Sequence, residues 1–444
     1  MTYRTVTSRS LIAVGVLVLS LAAFAAVCVT RPVPLADTRV YRAEGAAVLG
    51  GTDPYGTDLY GTGTGPDASG PGTPGTGLAY PPFAAILFVP TTWLSADALK
   101  VVFVLGNLAL LALLVRLSLR LVARSAAARS GVPPSAATAT ATVPLPVPLP
   151  AVMTLAPAVA LGLWLEPVAR TILLGEITLA LACLVLWDLA RPDHALGKGF
   201  ALGIAAGITL TPALFIVYLL LTSRVRQGLT ALAAFTGTVL LGMLVLPYAS
   251  DEFWTRRIFE TDRTGAAWAA GNQSLHGLLA RLLHTPEPGA VWAALALLTA
   301  AAGLWTARRA VVRSGSETWG ILLTALTALL VTPVSWSHEW VWCVPLLAAL
   351  LAEGRLRTAA VAGAVWTARS FWAVPYEGEP ALRLPWWQQP LIAPYALCAL
   401  ALLAHAAWHH TRAPAGDGTP LPRRAPAAKD RPPSSTPGRP LTPR

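Results

Sequence analysis

From Leu11 to Trp408 the chain is a succession of about eleven or twelve apolar stretches separated by short polar connections. Lipid offers no partner to a backbone N–H or C=O, so such stretches must satisfy their own polar groups, and a helix does so within one segment. The first, Leu11–Thr30, has about the length of one membrane crossing. The others lie near 83–95, 97–119, 149–165, 176–190, 199–222, 228–248, 289–307, 317–334, 338–352, 357–374 and 388–409. Hydrophobic residues make up 55% of the chain and charged ones 12%, against about 25% charged in soluble domains. The expected fold is all-α, a polytopic transmembrane helical bundle. It forms one membrane domain over 1–410, followed by a basic, Pro-rich cytoplasmic tail over 411–444 that is expected to be disordered.

Arg4 and Arg9 precede the first stretch as in a signal peptide, but its apolar run is longer than an h-region and more spans follow. It reads as a retained helix with a cytoplasmic N-terminus. Residues 31–82 then form a polar loop on the outer side. The stretch 199–222 has Lys198 at one end, Arg224 and Arg226 at the other, and Pro212 in its middle. Either it is re-entrant or it breaks the rule that basic residues stay inside. No internal repeat is visible.

The net charge of +11 raises the question of nucleic acid. The basic residues, however, sit in short connections and in the tail, with no basic face or stacking platform, so no nucleic-acid partner is expected. Cys28, Cys183, Cys343 and Cys398 each lie in or beside an apolar stretch without metal-ligand spacing, which indicates neither a disulfide framework nor a zinc site. No dense carboxylate cluster calls for a divalent metal. There is no P-loop, dinucleotide-binding glycine motif or nucleophile elbow, so nucleotide hydrolysis and redox cofactors are not expected.

Charge is scarce enough that each polar cluster stands out. Asp37, Tyr41 and Glu44 are spaced to share one helical face just after the first span, where a carboxylate suits a general base or pairs with Arg39 and Arg42. Asp53, before Pro54, is a competing carboxylate or an Asx-turn. Glu166, Arg170 and Glu176 lie between two apolar stretches, where Arg170 suits a phosphate or an ion pair. Asn272, Gln273, His276 and Arg281 follow a loop; Asn272 fits a helix cap and Gln273 a sugar hydroxyl. Ser335-Trp336-Ser337-His338-Glu339-Trp340 sets four polar residues among tryptophans of the kind that mark a membrane interface. Its Trp336 and Trp340 suit the apolar face of a sugar ring, and His338 suits a phosphate or a carboxylate.

These blocks, in this order, resemble glycosyltransferase family 87, the actinobacterial polyprenol-phosphate-mannose-dependent α-mannosyltransferases of the GT-C fold. The matching text is DTRVY from Asp37 with GTDPY (containing Asp53 and Tyr55), YPPFAAILFVP from Tyr80, EPVARTILLGE from Glu166, NQSLHGLLAR from Asn272 and SWSHEWVW from Ser335. The resemblance implies transfer of mannose from a polyprenyl-phosphate donor to a lipid-linked or glycan acceptor, with inversion, at the outer face of the plasma membrane. It implies Asp37 as catalytic base, with Arg170, Arg281 and His338 as candidates to stabilise the leaving phosphate. Tyr41, Glu44, Asp53, Tyr55, Glu176, Asn272, Gln273, His276 and Trp336 would line the substrate site. The prenyl tail would stay among helices and membrane lipid. Two departures stand out: Gly175-Glu176-Ile177-Thr178 occurs where relatives often read GQxN, and Thr209-Leu210-Thr211-Pro212 occurs where they often carry a lysine. A flippase for a polyprenyl-linked glycan and a non-catalytic envelope-assembly factor are the alternatives; the first would need charges along a transmembrane path.

Overall fold

The computed structural model describes residues 2–30, 35–55, 80–129, 155–260, 266–374 and 379–412. Most of the expected outer loop and the whole tail after Arg412 lie outside the described residues. Among the described residues four helices are long and apolar enough to cross a membrane: Ile12–Thr30 within α1 (Thr2–Thr30), Ala96–Ala127 within the helix Ala96–Arg129, Val225–Val245 and Gly289–Val312. Two helix pairs, Leu155–Gly162 with Glu166–Leu174 and Trp386–Ile392 with Pro394–His409, would also qualify but bend by 74° and 90°. Four shorter apolar helices complete the set. Among the described residues the β contact is a single isolated bridge between Asn272 and Trp336. The protein is an all-α, multi-pass membrane protein, as the apolar stretches predict.

Two ends of the bundle can be told apart by which connections meet. At one end Ser125 bonds Thr318 at 2.6 Å, Arg224 pairs with Glu317 at 2.8 Å, and the Trp319 indole donates to Glu353 at 2.7 Å. Lys198 lies 2.9 Å and Arg224 3.8 Å from the same Asp193 carboxylate oxygen. This basic end therefore holds both limits of the 199–222 stretch. That stretch is a hairpin of two nine-residue helices, Phe200–Ile208 and Ala213–Leu221. Thr209 is extended and Pro212 has no N–H to donate, so the helix stops at the tip and restarts. At about 1.5 Å per residue each arm reaches only part-way through a bilayer. The re-entrant reading is the one realised.

The opposite end carries α2 (Ala36–Gly50), which packs along the short apolar helix Pro82–Phe88 with Tyr41 stacked on Phe88 at 4.2 Å. Gly51, in the left-handed region at φ 62°, closes α2 by donating to Ala47 and Val48 carbonyls. At its start the Leu35 N–H donates to Leu173 O, and the Thr38 hydroxyl donates to Gly175 O at 3.3 Å. Gly175 ends the helix Glu166–Leu174 at φ 73°, and a Cβ there would land on Thr38 Oγ1. This close approach fixes Asp37 beside Glu176.

Candidate active site

Between α2, the Glu166–Leu174 and Thr178–Ala190 helices, the hairpin tip and the turn at Ser337–Trp342 lies a cavity of about 380 Å³. Its mouth is polar, with Asp37, Tyr80, Arg170, Glu176, Trp336 and His338; its depth is apolar, with Leu181, Val185, Phe215, Ala325, Leu329 and Trp342. The tip of the hairpin, Thr209–Pro212, forms part of the wall.

Glu176 is the hub of the mouth. Its Oε2 accepts from the Tyr41 hydroxyl at 2.8 Å, the Tyr80 hydroxyl at 3.3 Å and the Ile177 N–H at 3.2 Å. Its Oε1 lies 3.3 Å from His338 Nε2. Asp37 lies beside the same carboxyl group, one turn before Tyr41 on α2 and on the wall of the same cavity, and its Oδ2 has no hydrogen-bond partner. Burial, with the Glu176 charge beside it, holds the Asp37 carboxyl well above the usual carboxylate range. Burial also works against the charge on Glu176, but His338 and the Tyr41 hydroxyl outweigh it and hold that carboxyl low. Burial and the Glu176 charge push both tyrosine hydroxyls up, so they remain donors. Glu44, one turn behind Tyr41, is fully buried with neither oxygen bonded, and burial pushes it well up as well.

The other expected site residues fall into three groups. Arg170, Trp336 and His338 line the cavity with Asp37 and Glu176, and the Arg170 guanidinium sits 4.3 Å over the Trp372 ring. Asp53 and Tyr55 stand behind it: Asp53 Oδ1 accepts from the Tyr55 N–H at 2.9 Å, an Asx-turn, and the Tyr55 hydroxyl donates to Tyr80 O at 3.1 Å. They place Tyr80 and do not line the cavity.

Asn272, Gln273, His276 and Arg281 also lie away from the cavity walls. Asn272 Nδ2 donates to Ala267 O and Pro333 O, and its Oδ1 accepts from Ser274 and Ser335 N–H groups. Gln273 Nε2 donates to Ala270 O and Ile392 O, both at 2.8 Å, and His276 Nδ1 lies 3.1 Å from Pro333 O. Arg281 is fully buried and donates to the carbonyls of Trp268, Ala269 and Asn272. Loops packed at a membrane surface leave backbone groups that water cannot reach, and these side chains satisfy them. The cluster serves the site indirectly: Ser337 N donates to Gly271 O at 2.9 Å, and Gly271 packs under the Trp336 ring. Arg281→Met is therefore expected to lower stability by roughly 2–4 kcal/mol, since three buried carbonyls lose their donors. Thermal unfolding in detergent checks this, and an unchanged midpoint would return Arg281 to the list of phosphate ligands.

Three further residues belong to the constellation. Tyr80 opens the YPP block and bonds Glu176, yet a lone tyrosine before two prolines reads as turn punctuation. Glu339 lines the cavity, with its Oε2 lacking a partner. Glu166, beneath the mouth, accepts from the Ser337 hydroxyl at 2.8 Å, the Tyr395 hydroxyl at 2.8 Å and the Trp372 indole at 3.3 Å. Nothing local in the sequence links those partners.

The sequence model of glycosyltransferase family 87 matches residues 78–333. A polyprenol-phosphate-mannose-dependent alpha-(1-2)-phosphatidylinositol mannoside mannosyltransferase of Mycobacterium tuberculosis is 35% identical over 339 residues, 74% of this chain and 75% of the relative. The protein of that description in Mycolicibacterium smegmatis is 30% identical over 83% of this chain and 82% of its own length. A phosphatidylinositol pentamannoside mannosyltransferase of the latter organism is 31% identical over 67% of each chain. No solved structure matches the chain.

Proposed function

The chain belongs to glycosyltransferase family 87 and is a membrane glycosyltransferase, and on that premise we propose that it transfers mannose from a polyprenyl-phosphate mannose to a lipid-linked acceptor of the phosphatidylinositol mannoside class. The observation that carries this reading is one cavity with carboxyl groups, an arginine and a histidine at its mouth and an apolar depth. A sugar phosphate needs the first part and the start of a prenyl tail the second. Asp37 is the base. It takes the proton of the acceptor hydroxyl as that oxygen attacks the anomeric carbon. The bond from that carbon to the phosphate oxygen breaks, and its electron pair leaves with the phosphate. Arg170 and His338, both on the cavity wall, are the side chains available to stabilise that charge. One base and one displacement invert the anomeric centre, so a β-linked donor gives an α-linkage. Trp336 offers its ring face to a sugar.

The basic end of the bundle belongs in the cytoplasm by the positive-inside rule, which puts the cavity mouth on the outer side of the plasma membrane. The test is a membrane assay with radiolabelled polyprenyl-phosphate mannose, followed by identification of the labelled product. Label appearing on a phosphatidylinositol mannoside supports the reading. Label that crosses vesicles still attached to its polyprenyl phosphate would replace it with a flippase.

A further inference from the structure

We propose that Glu176 is a positioning residue that shares one proton with Asp37 and so sets the pH at which the base becomes available. The inference rests on Asp37 being that base. Asp37 and Glu176 line one cavity, and Tyr41, one turn on from Asp37, bonds Glu176; two buried carboxyls this close do not both carry full charge, so the pair holds one proton over a wide pH range.

The surrounding donors decide where the proton rests. Glu176 receives two tyrosine hydroxyls and a backbone N–H, and His338 stands against its other oxygen. Asp37 Oδ2 receives nothing. The charge therefore settles on Glu176 and the proton on Asp37. All the groups facing the pair point the same way or act weakly. From α2 itself come Tyr41 and the buried Glu44; ahead of the Pro82–Phe88 helix comes Tyr80; the following turn, Val89–Trp93, has no titratable side chain. From the Glu166–Leu174 helix comes Arg170, whose charge pulls Asp37 down. From the turn at Ser337–Trp342 come His338 and Glu339.

Before attack, the Asp37 proton must leave to solvent, and that loss is easier as pH rises. A glutamine at 176 would instead offer its N–H to Asp37 and keep that carboxylate charged without a proton to remove.

The test is the pH profile of kcat/KM for mannosyl transfer in the intact protein. Glu176→Gln is expected to move the acid limb toward lower pH by about one unit or more, because a neighbouring like charge has gone. Glu176→Asp, which keeps a carboxyl, is expected to leave the limb near its parent position. Superimposable profiles for parent and Glu176→Gln would overturn the proposal. A second readout needs no turnover. In a background carrying Glu44→Gln and Glu339→Gln, which removes the two other carboxyls that burial pushes up, infrared spectra should show a protonated-carboxyl C=O band at neutral pH that both Asp37→Asn and Glu176→Gln remove. Persistence of that band in both variants would overturn the shared proton even if either were inactive. Full activity of Asp37→Asn would instead remove the base assignment and the kinetic consequence with it, and the infrared result would still report on the pair.

Discussion

Asp37→Asn is expected to lower the rate of mannosyl transfer by about 10²–10⁴-fold, the usual contribution of a positioned general base. The substitution keeps the shape of the side chain, so the variant should insert and unfold much as the parent does. KM for the donor should change little, since Arg170 and His338 remain in place. What is lost is a carboxylate able to take the acceptor proton, and neither Glu176 nor Glu44 replaces it well. Glu176 already accepts from three donors. Glu44 is buried behind Tyr41 and does not line the cavity. Turnover at the parent rate in a well-folded Asp37→Asn protein would mean that another group takes the proton.

The second large effect concerns folding. Glu166 sits at the first turn of its helix and ties together three side chains from separate parts of the chain: Ser337, Trp372 and Tyr395. Glu166→Leu has similar bulk but accepts nothing, so two buried hydroxyls and a half-buried indole N–H lose this acceptor at once. Each stranded donor costs about 1–3 kcal/mol, so roughly 3–5 kcal/mol is expected for a network that relaxes in part. Yield from membranes and the thermal midpoint in detergent should both fall sharply. Glu166→Gln, which keeps one acceptor oxygen, should recover part of the loss. A parent-like midpoint for Glu166→Leu would show that the three donors find other partners.

Much of the fold was legible because lipid imposes a simple rule on every apolar stretch. The rule says that a stretch is helical; it does not say whether the helix crosses. For 199–222 the basic residues at both ends and Pro212 carried that extra information, and the hairpin follows from it. At the site, Asp37 and His338 were each visible as isolated charge near an interface. Their meeting in one site followed only from the family resemblance, because Glu176, the carboxyl beside both, belongs to neither segment. The Asn272–Arg281 block shows the converse limit. Its polar atoms look available in sequence, but irregular backbone between membrane helices has its own unmet donors and acceptors. Only the fold shows that those come first. Tyr41 and Glu44 share the face of Asp37 as their spacing predicts, yet Tyr41 works through Glu176.

The hairpin over residues 200–221 also fixes the parity of everything that follows it. A topology count that scores this stretch as a crossing would reverse the assigned side of each later loop. His338 would then fall on the opposite side of the bilayer from Asp37, and the active site would be split between two compartments. Reporter groups placed at Ala195 and at Ser223 should therefore be reached from the same side of a sealed vesicle.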